Sequence, residues 1–294
     1  MSDAVRASTA AALFPTNFLT ALAQGPAEGR TEWIAKDGAY AKGPAWSKDG
    51  YLVYSDTPAD RIMKWQPGRT PEILREGAAG PAGNAFDAQS RLYTCETRAR
   101  RVIRAERNGK IEVLAERWEG KRLNAPNDLA VSRSGHVYFS DPAFGESSDH
   151  RELDFYGVYH IPTRGPMKLV TKPAGRPNGV ALSPNGRVLY VGNADEHNIR
   201  AYDLDRDGEA SGERVLVAGI PGVPGGMTVD EIGNLYVAAG AILIYNAEGR
   251  PLGSIEMPGR ASGCAFGEAN GKTLLVTAGG GLVRVRLEAQ GDNR

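Results

Sequence analysis

The segment GHVYFSD at residues 135–141 is one copy of a repeat that predicts the fold, because variants of it recur along the chain. Each variant begins with a turn residue, usually glycine, and continues as an apolar–aromatic–apolar run. The six copies are GYLVYSD (50–56), SRLYTCE (90–96), GHVYFSD (135–141), GRVLYVGN (186–193), GNLYVAAG (233–240) and GKTLLVTAGG (271–280). Successive copies begin about 44 residues apart, which is the period expected of a four-stranded propeller blade.

Further short strands flank each copy of this repeat. Segments such as DLAVS and GVALS lie upstream, and hairpins such as GVYHIPTRGPMKLV lie downstream. Four strands in each of six repeats predict an all-β fold, a six-bladed β-propeller with four antiparallel strands per blade. We expect TEWIA (31–35) to supply the outer strand of the last blade, which would close the ring and leave no open sheet edge. A β-sandwich is the alternative, but sandwiches carry no sixfold repeat.

Composition and charge exclude several classes of protein. The 294 residues include 35 basic and 35 acidic side chains, so the electrostatic footprint of a nucleic-acid-binding protein is missing. No apolar run is long enough to span a membrane, and the N-terminus does not have the pattern of a signal peptide. Two cysteines, Cys95 and Cys264, are too few for a disulfide framework, which favours a cytoplasmic location.

The same reasoning divides the chain into two parts. We expect residues 1–30 to be an N-terminal extension and residues 31–294 to form a single propeller domain. The expected partner is a small molecule, with no nucleic acid and no membrane. The sequence leaves the oligomeric state and the role of the extension open.

The repeat also predicts which residues meet at one mouth of the central channel. The residue that opens each innermost strand lies eight positions before each copy of the repeat, or nine before the last. These six positions are Lys42, Ala82, Asn127, Asn178, Gly225 and Ser262. Because the second strand of a blade runs antiparallel to the first, the loops after Asp56, Glu96, Asp141 and Asn193 should surround this ring. The longest of them, 141–156, is the candidate lid.

Four stretches resemble the family of senescence marker protein, gluconolactonase and luciferin-regenerating enzyme. They are GKRLNAPNDLAVSRSGHVYFSDPAFG (120–145), RELDFYGVYHI (151–161), RPNGVALSPNGRVLYV (176–191) and GGMTVDEIGNLYVA (225–238). The resemblance implies a six-bladed propeller with one divalent cation, often calcium or zinc, at the mouth of the channel. It also implies hydrolysis of lactones or related esters.

The chain departs from this family at the expected metal site. The four positions at which family members bind the metal fall on Lys42, Asn127, Asn178 and Gly225, so both of the family's carboxylates are lost. Two neutral amides beside an ammonium make a poor site for a hard dication. We therefore expect no metal cofactor. If calcium or zinc is bound in an altered form of the site, Asn127 and Asn178 are the expected ligands.

The remaining polar residues receive roles from their expected positions. Lys42 would replace the metal as the positive centre that polarises a carbonyl, and Glu96 would be the catalytic acid or base. The expected substrate-binding residues are Asn127, Asn178, Asp128 and Asp141. The leading hypothesis is a lactonase-like hydrolase that opens a lactone or ester without a divalent metal.

Three alternatives remain open at this point. The same site could carry out non-hydrolytic carbonyl chemistry, as a lyase, isomerase or cyclase. It could instead bind a small ligand without turnover. It could also be an ordinary metal-dependent lactonase that recruits Glu96 or Asp141 as substitute ligands.

Overall fold

A computed structural model describes residues 31–36 and 38–292, and within them six four-stranded antiparallel sheets form a ring. The predicted six-bladed β-propeller is confirmed. The expected N-terminal extension, residues 1–30, lies outside the described residues. Within the described part of the chain, no helix is long and apolar enough to cross a membrane.

Each blade contains four strands that follow one another in the sequence, except the last. Blade 1 has β2 (Ala41–Ser47), β3 (Tyr51–Asp56), β4 (Arg61–Trp65) and β5 (Glu72–Glu76). Blade 2 has β6 (Pro81–Phe86), β7 (Leu92–Glu96), β8 (Arg101–Ala105) and β9 (Ile111–Ala115). Blade 3 has β12 (Leu129–Val131), β13 (Val137–Asp141), β14 (Gly157–Ile161) and β15 (Lys168–Thr171). Blade 4 has β16 (Pro177–Leu182), β17 (Val188–Asn193), β18 (Asn198–Leu204) and β19 (Ala210–Val217). Blade 5 has β20 (Met227–Val229), β21 (Leu235–Ala239), β22 (Ala241–Tyr245) and β23 (Pro251–Ile255).

The last blade closes the ring by combining the two ends of the chain. Its strands are β24 (Ala261–Gly267), β25 (Thr273–Ala278), β26 (Gly281–Arg286) and, outermost, β1 (Glu32–Ala35). β1 pairs antiparallel with β26. The expectation that TEWIA supplies this outer strand is confirmed, and β26 therefore has no free edge.

The core lies between blades, which explains why the repeat reads as a continuous apolar run. Six buried clusters each join two neighbouring blades around the ring. In β3, for example, Leu52 and Tyr54 pack towards blade 6 while Val53 packs towards blade 2. Successive side chains of a strand point to opposite faces, so the part of a second strand that is buried on both faces is apolar at consecutive positions.

The turn that begins each copy of the repeat needs a left-handed backbone. Gly135 has a φ of 92°, and Ser90, which stands at the equivalent place in blade 2, has a φ of 58°. Glycine adopts this conformation without steric cost, which accounts for its recurrence at this position.

Two short elements lie outside the blades. The hairpin β10 (Arg117–Trp118) and β11 (Lys121–Arg122) connects blades 2 and 3. A 3-10 helix, Gly145–His150, lies in the long loop after Asp141 that we expect to be a lid.

Candidate active site

A cavity of about 510 Å³ occupies one mouth of the propeller channel. Its wall contains all six residues that the repeat places there: Lys42, Ala82, Asn127, Asn178, Gly225 and Ser262. The expected ring is confirmed. The loops after three of the second strands also reach the cavity, through Thr57, Thr97 and Phe144. The loop after Asn193 contributes no residue to the described lining.

Lys42 is anchored in this cavity by a chain of hydrogen bonds. Its half-buried side chain donates from Nζ to Asn127 Oδ1 at 2.5 Å. Asn127 Nδ2 then donates to Asn178 Oδ1 at 2.5 Å, and Asn178 Nδ2 donates to the carbonyl of Pro224 at 2.8 Å. Because an ammonium can only donate, it determines the orientation of both amides. Asn127 is the acceptor that Lys42 finds among the described residues, so two further N–H groups remain for a bound molecule.

Gly225, where the family resemblance implies a carboxylate, has no room for a side chain. A Cβ added there would lie 2.7 Å from the backbone oxygen of Ser262 and 3.0 Å from that of Ala238. A side chain at Gly225 would therefore require the backbone of blade 6 to move.

A divalent cation does not fit these residues. The Asn127 amide oxygen already accepts from Lys42, and the Asn178 amide oxygen accepts from Asn127. Within residues 31–36 and 38–292, no group of three or more His, Cys, Asp or Glu side chains is placed to hold a metal ion. A hard dication needs anionic oxygen ligands, and an ammonium beside two amides repels it.

Asp128 is the carboxylate that the structure brings into the cavity. It is half-buried, and its Oδ2 accepts from the backbone N–H of Val180 at 3.0 Å. Burial raises the pKa of Asp128 to about 6, while the Val180 N–H and the Lys42 ammonium oppose that rise. Burial also lowers the pKa of Lys42, and the Asp128 carboxylate opposes that change. The cavity therefore contains an ammonium whose pKa is lowered and a carboxylate whose pKa is raised. The two pKa values lie closer together than those of an exposed lysine and an exposed aspartate.

The structure does not bring Glu96 to the cavity. Its side chain is fully buried and forms ion pairs with Arg75 of the neighbouring blade and with Arg101 at 2.6 Å. Only the following residue, Thr97, is part of the cavity lining. Both carboxylate oxygens of Glu96 are thus engaged by arginines, away from the cavity wall.

Asp141 also lies outside the cavity lining. It is fully buried and accepts from the backbone N–H groups of Asn124 and Ala125, both at 2.8 Å. Burial raises the pKa of Asp141 to about 7, and these two N–H groups oppose the rise. Asp141 holds the segment that leads into Asn127, which is a contact with the protein's own backbone. An altered metal site built on Glu96 or Asp141 has no support in this arrangement.

The cavity has a second layer of lining residues that was not predicted from the sequence. Residues two positions before four of the ring residues also line it: Tyr40, Ala125, Val223 and Arg260. Side chains two apart on an extended chain share a face, so the repeat contained the signal for this layer. Among these residues Arg260 adds a second cation to the mouth of the channel.

Both cysteines are free, buried and in the cores between blades. Cys95 belongs to the cluster between blades 2 and 3, and Cys264 to the one between blades 5 and 6. Both side chains therefore serve in core packing between blades.

Comparisons with known proteins identify similar chains over most of this length. The family profile described as "SMP-30/Gluconolactonase/LRE-like region" matches residues 40–280. A gluconolactonase of Zymomonas mobilis is 34% identical over 292 residues, which covers 88% of this chain and 82% of that one. The pentonolactonase XacC of Haloferax volcanii is 25% identical, over 82% of this chain and 81% of its own.

A solved structure is similar over a comparable length. XC5397, a gluconolactonase from Xanthomonas campestris, superposes with a TM-score of 0.84 at 34% identity, covering 91% of this chain and 92% of that one. A luciferin-regenerating enzyme superposes with a TM-score of 0.77 at 21% identity, over 90% and 97%, a likeness of fold.

Proposed function

The chain belongs to the SMP-30/gluconolactonase/LRE-like family as a lactonase-like enzyme, and we propose that it hydrolyses lactones with Lys42 in place of a divalent metal. The observation that carries this proposal is the Lys42 ammonium, held in the cavity by Asn127 with two N–H groups to spare. Relatives named gluconolactonase and pentonolactonase indicate that sugar lactones are the substrate class.

In the proposed reaction Lys42 acts on the carbonyl oxygen of the lactone. Its N–H groups donate to that oxygen and stabilise the negative charge that develops when water attacks the carbonyl carbon. A preorganised cation in a partly dry cavity costs no reorganisation at the moment of reaction. Asn127 and Asn178 hold Lys42 in position and can donate their remaining N–H groups to the substrate.

Asp128 is the proposed general base, in place of Glu96. Its carboxylate takes a proton from the attacking water, and a tetrahedral intermediate forms whose oxyanion accepts hydrogen bonds from Lys42. When the ring C–O bond breaks, Asp128 returns the proton to the leaving oxygen. The product is the open-chain hydroxy acid, and Asp128 ends the cycle ionised.

Non-hydrolytic carbonyl chemistry and ligand binding without turnover would use the same Lys42. The test below distinguishes both from hydrolysis. A cytoplasmic location is part of the proposal, and two free cysteines in different blades agree with a reducing compartment.

The test replaces Lys42 by Met, which keeps the volume and removes the ammonium. We expect Lys42→Met to lower kcat/KM for a sugar lactone about 100-fold to 1,000-fold, the usual effect of removing an oxyanion donor. The control is Lys110→Met, an exposed lysine in the turn between β8 and β9, which should leave hydrolysis unchanged. Full activity of Lys42→Met would remove Lys42 from the mechanism. Product analysis by mass distinguishes hydrolysis, which adds one water, from isomerisation or elimination.

A further inference from the structure

Arg260 is a cation at the rim of the active-site cavity with no ion-pair partner among residues 31–36 and 38–292. It is exposed, lies one position before β24 and belongs to the cavity lining. Other arginines at this end of the propeller are paired: Arg98 with Asp60 and Arg176 with Asp195. An unpaired guanidinium that faces a cavity is available to an anion.

The charges of the cavity lining leave one positive charge uncompensated. Lys42 and Arg260 are positive and Asp128 is negative, and the other described lining residues are uncharged at neutral pH. The two cations belong to neighbouring blades, whereas Asp128 comes from blade 3. A cavity of this kind attracts a molecule that carries a single negative charge.

The two cations lie in different layers of the cavity lining. Arg260 lies two residues before Ser262, the ring residue of blade 6, just as Tyr40 lies two residues before Lys42. Two residues of extended chain span about 7 Å. Arg260 is therefore one layer away from the ring and lies exposed at the rim of the cavity, whereas Lys42 is half-buried in the ring itself.

We propose that the substrate is a lactone that carries a free carboxylate, and that Arg260 is the residue that binds this carboxylate while Lys42 binds the lactone carbonyl. This inference rests on the proposed lactone hydrolysis. The planar fork of a guanidinium matches a carboxylate with two parallel hydrogen bonds. A carboxylate has one negative charge, which equals the surplus in the cavity, while a phosphate monoester at neutral pH has nearly two.

The experiment compares two substrates that differ only in this group. The 1,4-lactone of a hexaric acid keeps one carboxylate, and the 1,4-lactone of the matching hexonic acid has a hydroxymethyl group in its place. A lactone that bears a phosphate monoester is the third substrate. kcat and KM are measured for wild type, Arg260→Gln and the control Arg69→Gln, an exposed arginine of the β4–β5 turn.

We expect wild type to favour the carboxylated lactone. Arg260→Gln should lower kcat/KM for that substrate about tenfold to 100-fold, mainly by raising KM, and leave the neutral lactone within about twofold. Arg69→Gln should change neither. Equal losses on both lactones, or no loss on either, would overturn the inference while leaving lactone hydrolysis intact. A stronger preference for the phosphorylated lactone that Arg260→Gln abolishes would replace the carboxylate by a phosphate.

A binding measurement covers the case in which no lactone is turned over. Calorimetric titration with the carboxylated lactone should give a Kd that Arg260→Gln raises about tenfold or more. Binding that is unaffected by Arg260→Gln contradicts the role of Arg260 whatever the fate of the proposed reaction.

Discussion

Lys42 and Asp128 give the site its chemical character at the scale of single residues. Each is half-buried in the cavity wall, and burial moves the pKa of the acid up and that of the amine down. Their mutual attraction works in the opposite direction for both groups. The cavity thus keeps an ionised base and a charged ammonium together over a limited range of pH.

The pH dependence of hydrolysis follows from these two groups. Asp128 accepts a proton only when ionised, so kcat/KM should fall as the pH drops below about 6, where the raised pKa of Asp128 lies. Lys42 stabilises an oxyanion only when protonated, so the rate should also fall at alkaline pH, below the pH at which an ordinary lysine titrates. A rate profile from pH 4 to 10 measures both limbs.

Replacing Asp128 separates the two limbs. Asp128→Asn keeps an oxygen for the Val180 N–H and should lower kcat about 100-fold or more while removing the acid limb. Asp207→Asn, at an exposed loop position, is the control and should change neither limb. An unaltered acid limb in Asp128→Asn would mean that another group is the base.

At the scale of elements, Glu96 joins two blades. It ends β7, lies opposite Arg101 of β8 in the sheet register, and also pairs with Arg75 of β5 in blade 1. This buried carboxylate therefore connects blade 1 and blade 2 through two ion pairs. Glu96 lies away from the cavity wall because it pairs with an arginine of another blade. The sequence of one blade does not reveal that ion pair.

Glu96→Gln distinguishes a stabilising role of Glu96 between the blades from a catalytic role. We expect it to lower the free energy of unfolding by about 1–3 kcal/mol, since both arginines lose their counter-charge, while kcat/KM of the folded enzyme stays within about twofold. Glu112→Gln removes a half-exposed partner of Arg104 in the same blade and should cost much less. Thermal unfolding and lactone assays provide the readouts. Normal stability with a 100-fold loss of rate would return Glu96 to the catalytic role.

The sequence predicts the strands well because the same pattern of strands and turns occurs in six repeats. It identifies all six ring residues, since their distance from each copy is nearly constant. It does not identify the orientation of side chains beside the ring. Asp128 and Asp141 are both expected to bind substrate, but Asp128 belongs to the cavity lining and Asp141 turns towards backbone N–H groups. Such choices depend on contacts between blades, which a repeat within each blade cannot encode.

At the scale of the whole molecule, hydrogen bonds between blades hold the mouth of the channel together. Every neighbouring pair of blades has such a bond near the ring. The donors and acceptors are Asn84 to Gly43, Gly83 to Asn127, Val180 to Asp128, Asn178 to Pro224, Gly226 to Ser262 and Ser262 to Ala41. We therefore expect the position of Lys42 in blade 1 to depend on closure of the ring, to which β1 contributes as the outer strand of blade 6.

Truncation of the N-terminus tests this dependence and the expected domain boundary. A chain that begins at Thr31 retains β1 and should fold and hydrolyse lactones like the full chain. A chain that begins at Gly38 lacks β1 and leaves β26 as an open edge, so we expect aggregation or a Tm lower by at least about 10 °C. Light scattering and thermal unfolding measure both. Equal stability of the two chains would show that β1 does not secure the ring.

A lysine takes the place of a metal in the proposed reaction, so the decisive measurement is the metal dependence of the wild-type enzyme. Protein purified without chelator is analysed for bound metals and then assayed for lactone hydrolysis before and after treatment with EDTA. We expect far less than one metal ion per chain and the same kcat/KM in both samples. One tightly bound calcium or zinc ion per chain, with activity lost to EDTA and restored by that ion, would contradict the proposed reaction.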